Sequence, residues 1–203
     1  MQPDQIAETY NKIAEHWDSP DFNYDNGISQ HQRALGLAPQ AGAALDAGCG
    51  ASGRIIELLL AKGYDVEGVD ISVEMLRRAR RRHPGVVFHE ANICTWELPR
   101  QYAVISAWDS IWHVPLAQQL PLIKKLCNHL VPGGVLIFTT GGVEQADEIT
   151  PDCFGQPLYH AAPGIPSLVQ ALGEAGCRCA HLEYDQYPEN HVYLVAQRLE
   201  HTP

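Results

Sequence analysis

The chain has 203 residues, with 24 acidic side chains against 14 basic ones and a formal net charge of −10. That length fits one domain with an ample core. That charge is poor for phosphate-backbone binding and argues against general affinity for nucleic acid. No run approaches the ~20 apolar residues of a membrane span, and the polar start (Pro3, Asp4, Glu8) is no secretory leader. A cytoplasmic protein without membrane contact is expected.

Residues 4–17 place Ile6, Tyr10, Ile13, Ala14 and Trp17 on one side of an amphipathic helix. Residues 18–27, with Pro20, Asn23, Asn26 and Gly27, read as loop, and 28–37 as a second short helix. Strands and helices then alternate: strand 43–47, helix 52–62, strand 64–69, helix 72–82, strand 86–90, strand 102–107, helix 116–130, strand 134–140. Such alternation implies right-handed crossovers and a parallel sheet with helices on both faces. Residues 141–164 are rich in Gly, Pro and polar groups and read as a long loop, which in a compact domain is often functional. A helix over 165–175 and strands 177–185 and 190–197, joined by the short Tyr187–Asn190 connection, close the chain as a hairpin. The six cysteines (49, 94, 127, 153, 177 and 179) lack C-x-x-C spacing and read as reduced thiols, so no metal is expected.

The stretch Leu45-Asp46-Ala47-Gly48-Cys49-Gly50-Ala51-Ser52-Gly53 turns a strand sharply into a helix through glycines, which brings bare backbone close to a ligand. Asp70 follows about twenty residues later at the end of a second apolar run, where a carboxylate can accept hydrogen bonds from a ribose diol. G-x-G-x-x-G spacing alone also fits nicotinamide and flavin sites. Asp46 weighs against them, because a pyrophosphate at the helix N-terminus would be repelled by an extra carboxylate. A phosphate-free cofactor carrying a sulfonium and an ammonium meets no such objection.

These residues, with Gly68-Val69-Asp70-Ile71-Ser72, Met75-Leu76, Ala107-Trp108-Asp109-Ser110-Ile111-Trp112-His113-Val114 and Leu130-Val131-Pro132-Gly133-Gly134, resemble class I S-adenosylmethionine-dependent methyltransferases of the small-molecule type. Tyr10 to Asp18 resembles the tyrosine-containing lid helix of such enzymes. The resemblance implies a doubly wound, mostly parallel seven-stranded α/β sheet, Rossmann-like, with an antiparallel C-terminal hairpin whose last strand is inserted. It implies one domain over 1–203: lid helices 1–40, cofactor core 41–140, substrate loop and hairpin 141–203. S-adenosyl-L-methionine is the implied cofactor and a small-molecule methyl acceptor the implied partner. Nothing in the chain sets an oligomeric state.

Roles are assigned as expectations. Tyr10, Gly48, Gly50 and Gly53 contact or admit the cofactor. Asp46 positions its ammonium, Trp108 offers the same group a backbone carbonyl, and Arg54 meets its carboxylate. Asp70 accepts the ribose hydroxyls, while Ile71 and Met75 pack on adenine or ribose. Asn92 stands where the family usually has aspartate and can both accept from and donate to adenine, and Ile93 supplies a backbone N–H. Trp17, His31, Asp109, Trp112 and Tyr159 line the acceptor pocket. His113 is the candidate general base, since a group titrating near neutrality suits that work. The plain alternatives are core packing for Ile71, Met75 and Trp108, a surface ion pair for Arg54, and structurally bonded histidines. Two other functions stay open: a non-catalytic S-adenosylmethionine-binding protein, and an oxidoreductase using NAD(P).

Overall fold

The computed structural model describes residues 1–200, so residues 201–203 of the expected C-terminal segment lie outside it. Helix α1 (Pro3–Ile13) starts at a proline and ends in a tight 3-10 turn over Ala14–Asp18, so the expected helix over 4–17 is two pieces. Helix α2 (Ile28–Leu35) follows. The core then alternates: β1 (Ala43–Ala47), α3 (Arg54–Ala61), β2 (Asp65–Asp70), α4 (Val73–Arg82), β3 (Val87–Glu90), β4 (Tyr102–Ala107), α5 (Leu116–Asn128) and β5 (Leu130–Gly141).

The expected loop over 141–164 holds four short strands instead: β6 (Asp147–Ile149), β7 (Asp152–Cys153), β8 (Gln156–Pro157) and β9 (His160–Ala162). They pair as two small antiparallel ladders, β6 with β9 and β7 with β8. Strands of two or three residues are too short for an alternating pattern to register. Helix α6 (Ile165–Glu174) and strands β10 (Cys177–Tyr184) and β11 (His191–Arg198) complete the chain.

Seven strands form one sheet in the order β10-β11-β5-β4-β1-β2-β3. The pairs among β1 to β5 are parallel, while β11 runs antiparallel between β5 and β10. This is the expected inserted last strand. A strand buried on both faces is mostly apolar, as in β4, where all six residues are buried and Ser106 is the polar exception. One core layer packs α5 and α6 on the sheet around Tyr102, Phe138 and Leu126; the other packs α2, α3 and α4 around Ile56, Leu59 and Leu76. The strand order reverses between β1 and β4, so a crevice opens beyond their carboxyl ends.

Helix α1 and its 3-10 turn are tied across that crevice. Asn11 Oδ1 accepts from the Ser72 hydroxyl at 2.7 Å and from Glu74 N–H at 3.1 Å, at the N-terminus of α4. Asp18 accepts from Arg78, Arg81 and Arg82 on the same helix. Part of the arginine run of α4 is thus a latch for the N-terminal segment.

Gly53 explains why α3 starts at Arg54 and not at 52. Its φ of +70° ends the glycine turn, and an added Cβ would lie 2.3 Å from His83 Nε2. The third glycine of the motif therefore allows α3 to meet the end of α4. Gly53→Ala should cost roughly 1–3 kcal/mol in denaturant unfolding through strain and overpacking, with ligand affinity in the crevice changed less than threefold.

Candidate active site

The turn after β1 is built from both neighbouring strands. Gly48 and Cys49 N–H donate to Val69 O of β2 at 2.8 and 3.1 Å. The Ser110 hydroxyl, just past β4, donates to Ala47 O at 2.8 Å. Gly48 has φ +74°, and a Cβ there would meet Ser110 Cβ at 2.3 Å. Gly50 is different: its φ is +57° and a Cβ would meet nothing within 4 Å, because it faces the cavity. Two glycines of the motif thus permit protein packing, and only the middle one leaves open space for a ligand.

Asp70 ends β2 and staples this turn. Its Oδ2 accepts from Gly50 N–H at 2.9 Å and its Oδ1 from Ser72 N–H at 2.8 Å. Burial still pushes its pKa up, despite those donors. Asp46, buried in β1, is pushed up to about 6, chiefly by burial. Both line one cavity together with Gly48, Gly50, Arg54, Ile71, Met75, Asn92, Ile93, Trp108, Asp109 and His113. Tyr10 and Trp17 close it from α1 and its turn, their rings edge-to-face at 5.4 Å.

Most expected site residues therefore meet, and four do not line this cavity. Gly53 packs on His83. His31 is fully buried beneath Trp108: its Nδ1–H donates to Gly27 O at 2.6 Å and its Nε2 accepts from the Ser106 hydroxyl at 3.0 Å. It ties α2 to the sheet, and burial drops its pKa to about 4. Tyr159 sits in a separate apolar cluster with Ile6 and Leu158; its hydroxyl donates to Glu148 and accepts from Leu116 N–H. Trp112 stands behind His113 and faces a second cavity with His160 and His191.

His113 is in the wall but is not poised as a base. Its Nδ1 must carry the hydrogen, because it donates to Tyr159 O at 2.7 Å. Its Nε2 then accepts from the Tyr10 hydroxyl at 2.6 Å and from Trp112 Nε1–H at 2.9 Å. Burial, with neighbouring His160 second, drives its pKa to about 3. The expectation of a base near neutrality fails because the lone pair is spent on two aromatic donors.

Asn92 Oδ1 accepts from Cys94 N–H at 3.0 Å, which leaves its amide nitrogen as the group to offer a ligand. Lys125, missed from sequence, holds that loop by donating to Ile93, Cys94 and Trp96 carbonyls. Arg54 donates from Nε to Asn26 O at 2.7 Å and from Nη1 to Ser52 Oγ at 2.8 Å, and its Nη2 is 3.8 Å from Asp109 Oδ2. The Trp108 indole is buried against His31 and Tyr193, with its N–H unpartnered.

Chemically, the cavity combines three carboxylates, one guanidinium whose Nε and Nη1 are engaged by Asn26 and Ser52, apolar walls and an open backbone approach at Gly50. A phosphate-bearing ligand would be repelled here, whereas a cationic nucleoside with a ribose diol is matched at each end. Residues 44–134 match the family model described as "Methyltransferase domain". The chain belongs to the class I S-adenosylmethionine-dependent methyltransferases.

It is 43% identical over 159 residues to a trans-aconitate 2-methyltransferase of Rhodopseudomonas palustris (strain BisB18), spanning 72% of this chain and 61% of the relative. It is 29% identical over 142 residues to a dTDP-3-amino-3,6-dideoxy-alpha-D-glucopyranose N,N-dimethyltransferase of Streptomyces fradiae, spanning 66% of this chain and 52% of that one. The chain thus covers about half to three-fifths of these relatives' length. A solved S-adenosylmethionine-dependent methyltransferase from Clostridium acetobutylicum ATCC 824 shares the fold with a TM-score of 0.71 at 17% identity, covering 95% of this chain and 100% of that one. The cofactor of the family is S-adenosylmethionine, and the Gly50 opening and the desolvated Asp46 and Asp70 fit it. Among the described residues no group of three or more His, Cys, Asp or Glu could hold a metal, and no helix is long and apolar enough to cross a membrane.

Asp46 carries a cost that sets its test. A carboxyl raised to about 6 in the folded protein stabilises it below the ordinary carboxylate range and loses that contribution as pH rises through 6. Asp46→Asn should therefore stabilise the ligand-free protein at pH 7.5 by about 1–3 kcal/mol, a gain that shrinks at pH 5. The same variant should bind S-adenosylhomocysteine at least tenfold more weakly at pH 7.5. In the wild type, calorimetric affinity should fall by up to about tenfold per pH unit below pH 6, the limit for one proton.

Proposed function

We propose that this chain, as a single methyltransferase domain, transfers a methyl group from S-adenosylmethionine to a small-molecule acceptor by direct in-line displacement. The observation that carries the reading is the meeting of Asp46, the open Gly50 backbone and Asp70 in one aromatic-lidded cavity at the sheet's switch point. Asp70 holds the ribose hydroxyls, Asn92 and Ile93 the adenine edge, Ile71 and Met75 its faces, and Asp46 with the Trp108 carbonyl the ammonium. S-adenosylmethionine supplies an electrophilic methyl carbon on a positively charged sulfur.

The protein's own work is positioning and exclusion of water. Tyr10 is held by His113, and burial pushes its hydroxyl far above its ordinary range, so it stays neutral at working pH. Its ring and that of Trp17 wall off solvent. His113 is the hub that locks Tyr10 and Trp112, not a proton acceptor. The acceptor must therefore arrive with a free lone pair.

The cavity's charge favours one class of acceptor. Asp46, Asp70 and Asp109 line it, Arg54 is its one cation among the described residues, and the neighbouring cavity behind Trp112 is rimmed by Asp147, Glu148 and Glu189. Carboxylates outnumber basic groups in both cavities, with Arg54 standing in the first and His160 and His191 in the second, so a polyanionic acceptor is disfavoured. We assign an amine-bearing metabolite that reacts as its uncharged free base and releases the proton of the resulting methylammonium to solvent, in line with the amino-sugar methyltransferase among the relatives. The second reading is a carboxylate acceptor, which the 43% identity to a trans-aconitate methyltransferase favours.

A panel of amino sugars, simple amines and di- and tricarboxylates, incubated with methyl-labelled donor, separates them. Label on an amine is expected; label confined to carboxylates would overturn the acceptor class and leave methyl transfer standing. Binding of NADH without binding of S-adenosylhomocysteine would overturn both. His113→Gln should lower kcat about 10- to 100-fold through loosened Tyr10 and Trp112, while the pH profile between 6.5 and 9 keeps its shape. Disappearance of an ionisation near neutrality in that variant would restore His113 as a base.

A further inference from the structure

A chain of buried charges outside the motifs already described ends on the cavity wall. His191 opens β11, Asp185 lies just past β10, and their side chains are only 7% and 4% exposed. His191 Nδ1 pairs with Asp185 Oδ1, and its Nε2 lies 3.0 Å from Asp109 Oδ1. Both ring nitrogens thus face carboxylate oxygens, and although burial lowers the pKa of the imidazole, the hydrogen bonds to Asp109 and Asp185 raise it overall and favour its charged form. Gln30 of α2 donates to the other oxygen of Asp185 at 2.8 Å. A buried imidazole between a buried carboxylate, Asp185, and a partly exposed one, Asp109, is costly to desolvate and persists only when its partners are held in place.

The chain continues past Asp109. Asn26 Nδ2 donates to Asp109 Oδ2 at 3.0 Å, and Arg54 Nη2 is 3.8 Å from the same oxygen. Asp109 adopts φ +50°, in the left-handed region, and its N–H donates to Thr139 Oγ1 at 2.8 Å. Its carboxylate is thus set by backbone, by His191 and by Asn26 at once. The charges alternate: Asp185, His191, Asp109, Arg54. The last two face the cavity as a loose pair of opposite sign.

The sheet order says which end of a ligand they meet. Asp70 and Asn92, suited to a nucleoside, follow β2 and β3; Arg54 and Asp109 follow β1 and β4, on the other side of the crevice. A carboxylate beside a guanidinium matches an α-amino acid zwitterion, with Asp109 joining Asp46 and the Trp108 carbonyl around the ammonium and Arg54 meeting the carboxylate. We infer that His191 and Asp185 are positioning residues that hold Asp109, and with it the Asp109–Arg54 clamp, in place for the amino-acid end of the cofactor. This rests on the reading of the cavity as an S-adenosylmethionine site.

Two ligands of the same nucleoside test it by titration calorimetry on the full chain at pH 7.5. S-adenosylhomocysteine carries the amino-acid end, and 5′-methylthioadenosine lacks it. His191→Gln and Asp185→Asn should each raise the Kd for S-adenosylhomocysteine about tenfold and leave that for methylthioadenosine within twofold. Gln30→Ala, a milder change should either variant fail to fold, should show the same selectivity at two- to threefold. Equal weakening of both ligands would make the chain a mere prop of the fold and overturn the proposal, as would no weakening of either. If the wild type binds neither, the cofactor reading itself falls; if it binds methylthioadenosine normally while the variants show no selectivity, only the clamp does.

Discussion

The Asp70 carboxylate, accepting backbone hydrogens from Gly50 and Ser72, is the contact on which the site is built. It fixes the turn after β1 to the end of β2, so the open approach at Gly50 keeps its shape without a ligand. Ser72 then caps α4 by accepting from Met75 N–H, and its hydroxyl donates to Asn11 of α1. One carboxylate therefore orders the turn, the next helix and the segment that covers the cavity. Each of these bonds is modest in net worth. Their effect comes from being chained, since the geometry of one sets the alignment of the next.

The opposite wall is organised by His113. A neutral imidazole that donates to Tyr159 O and accepts from Tyr10 and Trp112 joins three separate elements: the N-terminal helix, the turn after β4 and the segment entering β9. The proton arrangement there follows from what each partner can do. A carbonyl cannot donate and an indole N–H cannot accept, so the tautomer has one solution. Stacking of His16 on Phe154 at 3.7 Å extends the same cover to the β7–β8 ladder. A site of this kind supplies alignment and dryness, which is what displacement at a charged sulfur requires of a protein.

The cavity holds its carboxylates at a cost to the ligand-free fold. Asp46 is desolvated to the point that its pKa is about 6, and Asp109 is balanced by His191 and Arg54. Stability is given up where the ligand will later supply the missing charge, a common trade between stability and activity. The arginines of α4 act in the other direction: they gather on Asp18 and stabilise the cover from outside.

Local sequence determined the elements, the parallel core, the switch point and the chemistry of the first two strand ends. Those features depend on periodicity, turn glycines and residues within about thirty positions of one another, all of which a linear pattern records. Tertiary structure alone decided how the glycines divide, because Gly48 and Gly53 are required by Ser110 and His83, about 62 and 30 residues away in the chain. It removed His31, Trp112, Tyr159 and Gly53 from the cavity, turned His113 from a base into a hub, and brought His191 and Asp185 to Asp109. It also folded residues 141–164 into short ladders. In each case the deciding partner comes from a distant segment, and burial, which sets both protonation and orientation, exists only once those segments pack.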